Sequence, residues 1–166
     1  VKSLSSLYES AARSVRGVQG ALPANPESND TIPYQFEKIA AARPAQAFLL
    51  YRDQRFSYRD ANALINRYAA TYKVLGIRKG DVVALVMENR PEVFWHFLGL
   101  SKLGAIASLI NSHAIGKPLA HALRICGPRR IVIGSEVIAA YDAVRGELAD
   151  LADVPVDLDV DPDGPP

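Results

Sequence analysis

The stretch from Leu75 to Ile110 constrains this chain more than any other: LGIRKGDVVALVMENRPEVFWHFLGLSKLGAIASLI. Two short apolar runs flank one helix-length segment. Gly76 follows the last apolar residue of a helical stripe, where a residue with positive φ ends a helix at little cost. Lys79-Gly80-Asp81 is turn chemistry. Val82 to Met87 is continuous and apolar, the pattern of a strand buried on both faces. Asn89, Pro91 and Glu92 read as a helix start, with Asn89 as the cap, the proline in the first turn and the acid at N3. Gly104 stops that helix, and Ala105 to Ile110 reads as a second buried strand. This is a βαβ unit, so its strands are expected to be parallel, joined by a right-handed crossover.

The flanking segments extend the alternation. Asp30 or Thr31 caps a short helix carrying Ile32, Phe36, Ile39 and Ala40, which ends before Pro44. Ala45 to Tyr51 and Arg55 to Tyr58 form a hairpin about Arg52-Asp53-Gln54. Ser57 caps the next helix, with Asp60 at the N3 place of a capping box. Ala61, Leu64, Ile65, Tyr68, Ala69, Tyr72 and Leu75 are its stripe. Pro118 opens a helix that ends at Gly127-Pro128, Arg130 to Ile133 is a strand, Ser135 caps a further helix, and Val154 to Val160 alternates like a strand. The fold class is therefore α/β: a layered, mostly parallel sheet with flanking helices. Before it, residues 3–18 place Leu4, Leu7, Tyr8, Ala11, Val15 and Val18 on one weak stripe. Such a helix either lies peripherally on a membrane or docks on its own domain, and Glu9 dilutes the charge a membrane surface would use. Gly17 to Asp30 has linker composition. Residues 1–30 are thus a helix and linker, and residues 31–166 the α/β part.

Composition excludes several classes. The apolar runs fall well short of the ~18 residues a membrane span needs. Val1-Lys2-Ser3-Leu4 lacks the layout of a signal peptide, which points to a cytoplasmic protein, membrane-peripheral if residues 3–18 contact lipid. A net charge of +1 argues against a nucleic-acid surface. One cysteine, Cys126, and three scattered histidines leave no internal disulfide and no legible zinc site.

No self-contained catalytic motif is present: no G-x-x-x-x-G-K-S/T, no G-x-G-x-x-G, no G-x-S-x-G and no H-E-x-x-H. Gly76 to Gly80 looks like a phosphate loop, but it leaves a helix and enters a strand, the reverse of the arrangement that aims a helix N-terminus at phosphate. His121 lies on a polar helix face. His96 lies one turn after Glu92, within pairing reach. Cys126 falls on a buried stripe, and Trp95 and Phe97 belong to a core-packed helix. Asn111, Ser112 and His113 stand apart. They follow the carboxyl end of a predicted parallel strand, where open α/β sheets bind ligands, and all three side chains hydrogen-bond. They are the candidate substrate-cleft residues, with a plain turn as the alternative. No catalytic, cofactor-binding or metal-ligating residue is identified.

Gly76-Ile77-Arg78-Lys79-Gly80-Asp81-Val82-Val83-Ala84-Leu85, with Phe56-Ser57-Tyr58-Arg59-Asp60 before it, resembles the N-terminal region of the adenylate-forming acyl-CoA synthetases. Met87-Glu88-Asn89-Arg90-Pro91-Glu92, Leu98 to Gly104, Leu109-Ile110-Asn111 and Pro118-Leu119-Ala120-His121 are similar to the very-long-chain fatty acyl-CoA synthetases and fatty acid transport proteins. The likeness runs from about Thr31 to Gly134. Asn111 to Ile115 lacks the Arg of the family's Asn-x-Asn-Leu-Arg. The family's phosphate loop, its adenine and ribose motifs and its C-terminal domain with a catalytic Lys are absent. The resemblance implies an incomplete N-terminal part of an adenylate-forming large domain. The parent would join a fatty acid to CoA through an acyl-adenylate, using ATP and Mg²⁺. This chain alone is expected to be inactive, to bind none of those cofactors, and to pair with the remainder of the parent polypeptide. An unpaired sheet edge makes self-association or a low melting temperature the further expectation. A stand-alone, non-catalytic α/β module for an acyl or nucleotide ligand, or for a partner subunit, is the other reading.

Overall fold

The computed structural model describes residues 30–160. The chain divides into two units, Val1–Thr31 and Ile32–Pro166, and nearly all described residues lie in the second. The helix expected over residues 3–18, its linker and the turn-rich end from Asp161 fall outside the described residues.

Helix α1 (Ile32–Ala42) leads into an antiparallel hairpin, β1 (Ala47–Tyr51) and β2 (Gln54–Ser57). Ser57 caps α2 (Tyr58–Val74). Its hydroxyl accepts from the Asp60 N–H at 3.2 Å, and the Asp60 carboxylate accepts from the Ser57 N–H at 3.0 Å, so the capping box predicted from the sequence forms. The Ser57 side chain and backbone together hold the Asp60 carboxyl below its ordinary pKa. At the other end Gly76 has φ of 79°. The Ile77 N–H donates to the Tyr72 carbonyl and the Gly76 N–H to that of Lys73, a Schellman stop.

A four-stranded parallel sheet follows, in the order β4-β3-β5-β6. Its strands are β3 (Val82–Val86), β4 (Ile106–Ile110), β5 (Arg130–Gly134) and β6 (Val156–Asp159). Helix α3 (Pro91–Lys102) joins β3 to β4, and their pairing runs without a slip from Val82–Ile106 to Val86–Ile110. Helix α4 (Lys117–Cys126) carries the chain back past β3 to β5. A 3₁₀ turn (Ser135–Val137) and α5 (Ile138–Arg145) join β5 to β6.

Strand alternation sorts the core onto the two faces of this sheet. Val83, Leu85, Met87 and Val132 meet Tyr72, Ile77 and Leu100 on the α2–α3 side. Ala84, Val86, Ile131 and Ile133 meet Leu119, Leu123, Tyr141 and Val144 on the α4–α5 side. A third cluster of Phe36, Ile65, Trp95 and Leu98, with Phe48 and Phe56 against it, ties α1 and the hairpin to α2 and α3. The last two helices touch closely because Gly99 has no side chain. A Cβ there would stand 3.0 Å from the Ala69 backbone nitrogen and the Tyr68 Cβ.

Several local expectations are corrected. Asn89 is not the cap of α3. Arg90 holds the N-cap place, extended at φ −134° and ψ 167°, with no side-chain capping bond. Pro91 opens the helix, and a residue before proline is driven out of the helical region. Strand β4 is not buried on both faces: it ends the sheet, and Ile106 and Leu109 are exposed. Ser135 starts a 3₁₀ turn rather than capping an α-helix. Cys126 is half-buried, with its thiol 3.3 Å from the Leu123 carbonyl oxygen.

Candidate functional site

Strand order locates the place where a parallel sheet opens. From β3 the chain steps to β4 on one side; from β5 it steps to β6 on the other. Helix α3 leaves β3 onto one face, and α5 leaves β5 onto the opposite face. β3 and β5 are hydrogen-bonded neighbours. The loops at their carboxyl ends therefore diverge, which is the switch-point crevice where sheets of this kind accept ligands.

Arg90 stands at this crevice. Proline fixes its backbone, and its side chain is only 2% exposed. Nη2 donates to the Asp159 carbonyl at 3.0 Å and lies 3.4 Å from the Asp159 carboxylate. Nε reaches Glu136 Oε1 at 3.5 Å. Nη1 is 2.9 Å from Glu92 Oε2, a close ion pair. Burial works against the guanidinium charge, but Asp159, Glu136 and Glu92 outweigh it, and the arginine pKa is raised.

Glu136 comes from the exit of β5. Its carboxylate accepts the Glu88 N–H at 2.7 Å and so ties the β5 exit to the β3 exit. The side chain folds back over Gly134, where a Cβ would lie 2.2 Å from Glu136 Oε1. Asp159, the last residue of β6, completes the cluster. Its carboxylate accepts from His96 Nε2 at 2.8 Å, and the other ring nitrogen of His96, Nδ1, is 2.5 Å from the Tyr72 hydroxyl. Burial, then Asp157 and Asp159, pushes the Tyr72 pKa up. Tyr72 therefore keeps its proton, and the His96 ring is held between the Tyr72 hydroxyl and the Asp159 carboxylate. Tyr68 meets the His96 ring edge-on, with centroids 4.7 Å apart. His96 thus pairs with Tyr72 and Asp159, and not with Glu92 as expected from their helical spacing.

Beside this network a cavity of about 420 Å³, open on one side, is lined by Tyr68, Tyr72, Leu75, His96, Val132 and Leu158 among others. Asp157, also in its wall, is held by Arg130 Nη1 at 2.7 and 2.9 Å.

Asn111, Ser112 and His113 follow β4, on the far side of β3 from this network. They form one turn. Asn111 Oδ1 accepts the His113 N–H at 3.0 Å, its carbonyl accepts the Ala114 N–H, and Ser112 Oγ lies 3.2 Å from His113 Nδ1. Asn111 and His113 are exposed and Ser112 is half-buried. Among the described residues, their side-chain hydrogen bonds stay within the turn. Arg90, Glu136 and Asp159 are the residues that sequence reasoning missed. The available signal was a basic residue before proline at the carboxyl end of a buried strand. Among the described residues no group of three His, Cys, Asp or Glu is placed to hold a metal ion. The network joins the ends of β3, β5 and β6 through one guanidinium that faces three carboxylates, with Glu136 Oε2 left buried and without a hydrogen bond.

The sequence profile of the AMP-binding enzymes matches residues 36–165. A medium/long-chain fatty acid–CoA ligase, FadD6 of Mycobacterium tuberculosis, is 38% identical over 138 residues, which is 81% of this chain and 23% of that protein. Long-chain fatty acid transport protein 1 of Bos taurus is 35% identical over 136 residues, 81% of this chain and 21% of that protein. The chain thus spans less than a quarter of the length of these curated relatives. Among solved structures, the inhibitor-bound N-terminal domain of FACL13 from Mycobacterium tuberculosis superposes with a TM-score of 0.72 at 30% identity, over 77% of this chain and 33% of that one. The anthranilate CoA ligase AuaEII in complex with anthranoyl-AMP gives 0.66 at 27%, over 70% of this chain and 23% of that one.

Proposed function

Because the chain belongs to the AMP-binding enzyme family, matched over residues 36–165, we propose that it is the N-terminal part of an ATP-dependent ligase that joins a long- or very-long-chain fatty acid to CoA. The observation that carries this reading is the 38% identity to a medium/long-chain fatty acid–CoA ligase over 81% of the chain. Acyl-adenylate formation followed by thioester formation is the proposed route, with ATP, Mg²⁺ and CoA as the parent's cofactors and a fatty acid as its substrate. Adenylyl transfer needs cations and backbone donors preorganised around the phosphates. The buried cation at the crevice, Arg90, already faces three carboxylates. The phosphate chemistry is accordingly assigned to other segments of the parent. The described residues contribute no helix long and apolar enough to cross a membrane, and we place the parent in the cytoplasm or on a membrane surface.

Fatty-acid-dependent ATP–pyrophosphate exchange tests this reading. The full-length protein is expected to catalyse it, and the 166-residue chain is expected to give no more than a control without fatty acid. Exchange by the short chain itself would overturn the fragment assignment. No exchange by the full-length protein would sink the ligase reading and favour a non-catalytic module.

Asn111, Ser112 and His113 are proposed to support the substrate cleft rather than to take part in the chemistry. In the full-length protein, Asn111→Ala and His113→Ala are expected to lower kcat/KM by about tenfold, or ~1.4 kcal/mol, with an unchanged melt. A lowered melt with unchanged kcat/KM would make the loop a turn and nothing more.

A further inference from the structure

Resting on the ligase reading, we propose that Arg90 is a positioning residue: it sets the spacing of the β3, β5 and β6 carboxyl ends around the switch-point crevice.

Three observations lead there. First, one guanidinium gathers groups from three strand exits. It sits on the β3 exit itself, reaches Glu136 after β5, and reaches both the carbonyl and the carboxylate of Asp159 at the end of β6. A planar fork with donors in fixed directions sets relative position in a way a single-point cation does not. Second, β6 is weakly held by packing. Among the described residues it ends the sheet, pairs with β5 alone, and leaves Val156 and Leu158 40% and 54% exposed. Its polar side chains are tied instead: Asp159 turns inward to Arg90 and His96, and Asp157, still 42% exposed, pairs with Arg130. The position of its last residue is therefore settled by polar contacts, with Arg90 the most buried of them. Third, the strands so tied border the place where the following loops part. Arg90 is too buried to touch a ligand, so it acts through the strand ends it holds.

The test uses the full-length protein, with hydrogen exchange read by segment and fatty-acid-dependent exchange kinetics read alongside. Arg90→Met is expected to speed amide exchange of residues 154–160 about tenfold or more, while the hairpin at residues 47–57 keeps its protection. kcat is expected to fall about tenfold with little change in KM, as when an arrangement needed only in the transition state is lost. Arg90→Lys should recover part of both effects, since it keeps the charge and loses the fork. If Arg90→Met does not fold, Asp159→Asn, which removes only the partner charge, is expected to give the same local signature. Unchanged exchange at residues 154–160 in the folded variants would overturn the proposal. So would an equal rise across the hairpin, or a loosened β6 with unaltered kcat in an active enzyme. If the wild-type protein shows no fatty-acid-dependent activity, the ligase reading falls, and the segment-resolved exchange alone decides the positioning role.

Discussion

Trp95→Ala is expected to lower stability by about 3–5 kcal/mol, the cost of emptying a fully buried aromatic site, and to release the hairpin before the sheet. Trp95 is 2% exposed. Its ring lies 5.4 Å from that of Phe56 and 6.2 Å from that of Phe48, one contact to each hairpin strand. A two-stranded hairpin is marginal by itself, so β1 and β2 depend on the aromatic cluster beneath them. The parallel sheet has separate cores on both faces, neither of which includes Trp95. Amide exchange should therefore rise first at residues 47–57 and in α1, with β3 and β5 following only at the global limit. Trp95→Phe, which keeps an aromatic ring in the site, should lose less. A loss below about 1 kcal/mol, or equal deprotection of β3 and the hairpin, would show that the chain unfolds as one unit around a different core.

What was legible in the sequence was what neighbours in sequence decide. The Ser57–Asp60 capping box spans three residues, and the Gly76 stop closes on Tyr72 and Lys73. The parallel pairing of β3 with β4 follows from one helix-length crossover, and the resemblance to adenylate-forming enzymes matches the family the chain belongs to. What was not legible depends on strand order. Ala105 to Ile110 is nearly as apolar as Val82 to Met87, with Ser108 its one polar residue, yet β4 ends the sheet and β3 lies inside it. The alternation of Val156, Asp157, Leu158 and Asp159 marks a strand. Nothing local says that Asp159 turns inward to Arg90 and His96 while Leu158 stays exposed. His96 shows the same limit. Glu92 is one turn away, but the partners are Tyr72, 24 residues earlier, and Asp159, 63 residues later. Arg90 was hidden for this reason too, since two of its three acidic partners arrive from β5 and β6.

Replacing Arg90 with Met in the described unit is expected to cost about 3 kcal/mol, and the loss should shrink when Glu136 is replaced as well. Removing one member of a buried ion cluster typically costs 3–5 kcal/mol, because the partners keep their desolvation penalty and lose their counter-charge. The lower end applies here. The Arg90 side chain is 2% exposed, but those of Glu92, Glu136 and Asp159 keep 15–18% of their surface and can recover some hydration. Methionine fills most of the arginine stem's volume, so the electrostatic part should dominate over a cavity. Glu136 is the informative partner. Its Oε2 is buried without a hydrogen bond, so its charge leans on Arg90 more than its geometry suggests. With Glu136→Gln already in place, Arg90→Met leaves one fewer uncompensated carboxylate. The two substitutions should therefore couple by about 0.5–3 kcal/mol in a double-mutant cycle, measured from urea midpoints at constant m. Additivity within about 0.5 kcal/mol would mean that Glu136 is satisfied by the Glu88 amide alone, and the tie between the β3 and β5 exits would then be a backbone contact rather than an ionic one.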